Sequence, residues 1–170
     1  MRHMLSVGLV LAVLQTGCAP SEPPKAYANE HFSFSYPGTY EVSRESPFGD
    51  VIFERKVDKR RSRLYVRSMK AKEVERRYSK TKAEYQGGKG KLVEDAPLKV
   101  GGASGYRLAI ADEGKQNVYE LTVLAQHQDE GVHIKFTYPD AKPPADLLSD
   151  IDRMLDSWRW KQAAAQTSSK

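Results

Sequence analysis

The 170-residue sequence predicts an α+β domain, a mostly antiparallel sheet flanked by helices, preceded by an N-terminal signal peptide. Three observations carry this. Apolar and polar residues alternate in six short segments, the period of half-buried strands. Two other segments space their apolar residues by three and four, the period of amphipathic helices. Short breaks rich in Gly and Asp separate the later strands, which implies antiparallel neighbours joined by tight turns.

The elements follow in order. Arg2, the apolar core Val7 to Leu14 and the small Gly17 have the arrangement of an export signal over residues 1–17. The apolar run is too short for the roughly 17 to 25 residues a membrane-spanning helix needs, so a retained transmembrane anchor is not expected. Residues 18–26, from Cys18 through Ala-Pro-Ser-Glu-Pro-Pro-Lys to Ala26, are proline-rich and read as an extended spacer. A globular domain is expected over residues 27–161, and the small, polar segment 162–170 reads as a flexible tail.

Inside the domain, Phe32, Phe34 and Tyr36 alternate with serines before Pro37-Gly38. Val51 and Phe53, then Leu64 and Val66, continue the alternation. The surest strands are Tyr106 to Ile110, Tyr119 to Ala125 and Val132 to Tyr138. Gly101-Gly102, Asp112 to Gly114 and Gln128 to Gly131 supply the turns. Between the early and late strands, Ala71, Val74, Tyr78 and Tyr85 mark a thin helical stripe from about Ala71 to Gln86, ended by Gly87-Gly88. From Pro144 to Trp158 a stronger stripe runs through Leu147, Leu148, Ile151, Met154 and Leu155. Prolines and aspartates suit its first turn.

Two resemblances rest on named residues. The segment Thr16-Gly17-Cys18 resembles a bacterial lipoprotein signal, although Gln15 stands where that pattern places an apolar residue and Leu14 lies one position early. The resemblance implies cleavage before Cys18 and lipidation of its thiol, and two or three acyl chains bind a membrane essentially permanently. Ala19, rather than Asp, follows the cysteine, which by the same resemblance implies the outer membrane of a Gram-negative host, facing the periplasm. Phe32-Ser-Phe-Ser-Tyr-Pro37, Gly105-Tyr-Arg-Leu108, His133-Ile-Lys-Phe-Thr-Tyr138 and Leu155-Asp-Ser-Trp-Arg-Trp160 resemble a PsbP-like domain, a superfamily that includes DcrB-like bacterial lipoproteins. Tyr40 takes the place of a tryptophan often found after the Tyr-Pro turn. This second resemblance implies an α/β/α sandwich with a non-enzymatic binding or assembly role and carries over no ligand residues.

Chemistry is sparse. Cys18 is the only cysteine, so no internal disulfide supports the fold. No metal-protease, Cys-x-x-Cys, phosphate-loop or dinucleotide motif occurs, and no cofactor is expected. Ser104 lacks the spacing of a nucleophile elbow. His31, His127 and His133 have no metal-ligand spacing; period two puts His133 opposite the core face of its strand with Lys135, solvated or under a helix. Asp146, Asp150 and Asp152 read as a solvated helix face rather than a catalytic pair.

Charge is the remaining signal. Between Arg55 and Lys91 lie fifteen basic and four acidic residues, although the whole chain is only +5. Lys59, Arg60, Arg61, Arg63 and Arg67 precede a helix bearing Arg76, Arg77 and Lys80, which a hairpin and its following helix could present as one cationic face. The expected partners are the membrane, through lipid on Cys18, and an anionic lipid, glycan or acidic protein on the basic face. Nucleic acid is excluded by the export signal and by the lack of interleaved aromatic residues. An envelope hydrolase with a site built from scattered residues is the alternative.

Overall fold

The computed structural model describes residues 22–46, 50–57, 59–88, 90–114 and 117–161. The signal peptide, Cys18 with the start of the spacer, and the tail 162–170 lie outside the described residues. In chain order the elements are β1 (Lys25–Ala28), β2 (Phe32–Tyr36), β3 (Glu41–Glu45), β4 (Val51–Val57) and β5 (Arg60–Lys70). A 3-10 turn, Ala71–Glu73, leads into α1 (Val74–Gln86). Then come β6 (Lys91–Val100), β7 (Ala103–Asp112), β8 (Val118–His127), β9 (Glu130–Tyr138), α2 (Ala145–Asp156) and the short β10 (Arg159–Trp160).

The strands form two antiparallel sheets. The larger has the order β3-β4-β5-β9-β8-β7-β6 and the smaller β1-β2-β10. Period two divides the large sheet cleanly. Val66, Val123, Ile134 and Phe136 point to one face, where they meet the aromatic row of β2 and the apolar stripe of α2. Leu108 and Ile110 point to the other and pack against Tyr85 of α1. Three layers result: α1, the large sheet, and a third layer in which α2 lies with the small sheet.

Aromatic packing seats the third layer. Trp158 stacks on Phe34 with ring centroids 5.0 Å apart and lies 4.4 Å from Phe32. Tyr36 meets Phe53 of the large sheet at 4.7 Å. The Trp160 indole donates to the Val100 carbonyl at 2.8 Å, and β10 pairs with β2, which secures the chain after α2. These contacts give a packing reason for the aromatic alternation of β2 and for the two late tryptophans.

Three differences from the sequence reading have local causes. β1 begins at Lys25, inside the segment read as spacer, because its residues pair with β2 and the Lys25 ammonium donates to the Gly38 carbonyl at 2.7 Å. β6 alternates in burial, but Glu94 interrupts its inner row, Val93 lies in the exposed row, and it contains Pro97, which its position at the sheet edge permits. Of the α2 aspartates read as a solvated face, Asp150 is not solvated but buried, and Asp146 and Asp152, although exposed, each pair with an arginine of the sheet. Arg55 of β4 donates to Asp146 at 2.7 Å and also to Asp150, which is buried; Arg107 of β7 bridges Glu94 at 3.0 Å and Asp152.

Candidate anion-binding cleft

A single helix cannot cover the whole outer face of the large sheet. Seven strands at about 4.8 Å spacing span about 29 Å, whereas a helix with its side chains covers about 10 Å. Tyr78 fixes where α1 lies: its ring stacks on Tyr106 at 4.0 Å and its hydroxyl donates to Asp95 at 3.0 Å. The Lys82 ammonium joins the same carboxylate at 2.7 Å, and the Tyr106 hydroxyl donates to Glu75 at 2.7 Å. With Val74, Thr81 and Tyr85 buried, α1 is held over the β6-β7-β8 side. Its opposite edge, bearing Glu73, Arg76, Arg77 and Lys80 within two turns, looks toward β5 and β9.

There the sheet and helix enclose a cleft of about 400 Å³ lined by Arg67, Met69, Glu73, Arg76, Arg77, Lys80 and His133. Four cations face the single carboxylate of Glu73. Arg67 and His133 are direct cross-strand partners, so one wall of the cleft is the β5–β9 ladder. His133 is 8 % exposed, and its Nδ1 is buried without a hydrogen-bond partner among the described residues. Burial, helped by Arg77, Lys135 and Arg67, pushes its pKa down to about 4, so the ring is neutral at pH 7. Beside this cleft lies a wider one of about 640 Å³, where Arg67, Lys70 and Lys72 are offset by Glu73, Asp129 and Glu130, and His31 is paired with Glu130 at 3.2 Å.

The eight basic residues singled out in the sequence fall into two groups. Arg67, Arg76, Arg77 and Lys80 converge in the cleft. Arg67 also meets Asp50 at 3.6 Å and Lys80 meets Glu84 at 4.0 Å, whereas Arg76 and Arg77 have no ion-pair partner among the described residues. Lys59 forms the β4–β5 turn with φ of 66°, and Arg60 is paired with Asp140. Arg61 and Arg63 share Glu54 at 3.0 and 2.9 Å. Arg60 and Arg67 are seven residues apart, about 23 Å along an extended strand, too far to contact one small ligand. His133 completes the cleft and was not singled out for it, because its pairing with Arg67 joins strands 66 residues apart in sequence. The described residues contain no group of His, Cys, Asp and Glu side chains able to hold a metal, and no helix long and apolar enough to cross a membrane.

No family model and no curated protein sequence matches the chain. Solved structures do. A crystal structure at 1.50 Å from Bacteroides thetaiotaomicron VPI-5482 is similar with a TM-score of 0.55 and 13 % identity, over 81 % of this chain and 48 % of that one, so this chain spans about half the length of that relative. The solution structure of cyanobacterial PsbP (CyanoP) from Synechocystis sp. PCC 6803 is similar with a TM-score of 0.53 and 17 % identity, over 85 % of this chain and 96 % of that one. At these identities the likeness speaks for fold. Taken with the two antiparallel sheets and a helix on each side of the larger one, it shows that the chain has a PsbP-like fold.

Proposed function

We propose that this protein is a lipid-anchored accessory domain of the cell envelope, tethered through Cys18, that binds an anionic envelope component in the cleft between α1 and the β5–β9 ladder and performs no chemistry of its own. The observation that carries this reading is the convergence of Arg67, Arg76, Arg77 and Lys80 around His133 with Glu73 as the one carboxylate of the cleft, and with Arg76 and Arg77 in no ion pair among the described residues. Guanidinium forks suit phosphate and carboxylate oxygens, and a concave cationic surface concentrates anions more strongly than a flat one. The tip of the β4–β5 hairpin is excluded from the site because Asp140 and Glu54 already occupy its arginines.

The test compares charge reversals in the full-length chain carrying Cys18→Ser, which removes the lipid acceptor. Arg76→Glu with Arg77→Glu is expected to weaken co-sedimentation with anionic vesicles at least tenfold, since each basic residue near such a surface contributes about 1 kcal/mol. Arg60→Glu with Arg61→Glu should change it far less. Equal effects of the two pairs would refute the cleft as the site. Mass spectrometry of the unsubstituted protein from its native membrane should find the mature N-terminus at Cys18 with acyl chains attached.

A further inference from the structure

We propose that the ligand of the cleft is a tetrahedral oxyanion of the phosphoryl class, and that His133 donates to it and gains a proton as the anion enters. This deepens the function proposed above and rests on it. His133 sits in an uncommon arrangement: it is more than nine-tenths buried, and its Nδ1 has no partner among the described residues. Buried polar atoms are nearly always satisfied; the Nδ1 is closed to solvent, but the ring that carries it lines the cationic cleft, so an anion seated there meets the ring on its open side.

The charges facing His133 give the chemistry. From β5 come Arg67, directly opposite, and the Tyr65 ring at 6.1 Å. Its own strand contributes Lys135, which is held by Glu120 of β8 at 3.0 Å. The residue opposite His133 on β8 is the apolar Leu124. From α1 and the turn before it come Arg76, Arg77, Lys80 and Glu73. In the free protein this environment keeps the ring neutral, because a further positive charge would be buried among cations. An oxyanion bound by the arginines reverses the local field. The imidazolium then becomes the favoured form, and both ring nitrogens are donors. Proton uptake and anion binding are therefore linked, each strengthening the other.

Phosphoryl rather than carboxylate chemistry follows from the number and placement of donors. Three guanidinium groups and one ammonium surround the cleft from two elements; one donor from each would already fill the roughly four acceptor sites of a carboxylate, whereas the third oxygen of a phosphoryl group lets the guanidiniums bind through two N–H groups. The volume of about 400 Å³ leaves room for the alcohol of a phosphate ester as well as for the free ion.

Isothermal titration of the full-length Cys18→Ser chain with sodium sulfate tests the linkage, because sulfate stays a dianion throughout and any pH dependence belongs to the protein. If binding returns His133 to its ordinary value of 6.5, affinity should rise roughly 30-fold between about pH 7.5 and about pH 5, with net proton uptake in buffers of different ionisation enthalpy. His133→Gln should still bind but lose the pH dependence. Proton uptake by the unsubstituted ring needs no variant, so the test survives if His133→Gln fails to fold. Sulfate binding that is flat with pH would overturn the role of His133 and leave the cleft standing. Binding to anionic vesicles with none to sulfate or inorganic phosphate would overturn the oxyanion while the broader reading held. Binding to neither would end both. Comparing inorganic phosphate with vesicles containing phosphatidic acid, at equal phosphoryl concentration, tells a free ion from a lipid headgroup.

Discussion

His133 gives the fold an acid-sensitive point. Its pKa is about 4 in the folded chain and near 6.5 when unfolded, so the unfolded state binds the proton more readily. The stability it contributes is full above about pH 6.5, falls with pH and is lost below about pH 4, a total of about 3 kcal/mol. Urea midpoints measured across that window should decline, and His133→Phe should flatten the decline. Asp95 and Asp140 do not obscure the effect: Lys82 lowers the first, and the Lys142 amide with Arg60 the second, so their contributions vanish only below the usual value of 3.8. At Gly105 the constraint is space. An added Cβ would stand 2.4 Å from the Leu124 carbonyl oxygen and 2.9 Å from the Ala125 Cβ. Both atoms belong to the neighbouring ladder, so Gly105→Ala should cost about 1–3 kcal/mol, read as a lower melting temperature.

Among the elements, α2 has the most to hold and the clearest signature. Leu147, Ile151 and Leu155 are buried against the sheet, and each change to Ala should cost about 2–5 kcal/mol; the triple variant should be unfolded by circular dichroism. Its polar side is equally committed. Removing the cation in Arg55→Met leaves buried Asp150 with Arg153 alone, an expected loss of about 3–5 kcal/mol, and Arg55→Met with Asp150→Leu should recover part of it. The stripe of α2 was legible because its apolar residues repeat at helical spacing over three turns. The destination of its aspartates was not, since an Asp on a helix looks the same in sequence whether it meets water or an arginine from another layer. β6 was illegible for a different reason: its burial alternates, but Glu94 in the inner row, Val93 in the exposed row and Pro97 break the apolar pattern in the sequence.

The whole molecule is organised by the mismatch between a seven-stranded sheet and one helix on its outer face. Covering β6, β7 and β8 leaves β5 and β9 at the helix border, and the cationic edge of α1 closes over them. The same view applies to the start of the domain. A chain beginning at residue 27 loses the Lys25 and Ala26 pairings with β2 and the bond to Gly38, and should melt roughly 3–5 °C below one beginning at residue 22, for a net loss of about 1 kcal/mol.

Local pattern determined the fold class, because period two, helical spacing and turn chemistry are properties of neighbouring residues. It also determined that cations concentrate between Arg55 and Lys91. Which of those cations work together was decided only in three dimensions. Cross-strand pairing sets Arg67 opposite His133, and the packing of Tyr78 on Tyr106 aims Arg76, Arg77 and Lys80 at the same space. Asp140 and Glu54, remote or inconspicuous in the chain, meanwhile pair with the three arginines of the hairpin. Composition determines how much charge a segment carries; register and helix placement determine where that charge is left unpaired, because those depend on contacts between residues far apart in sequence.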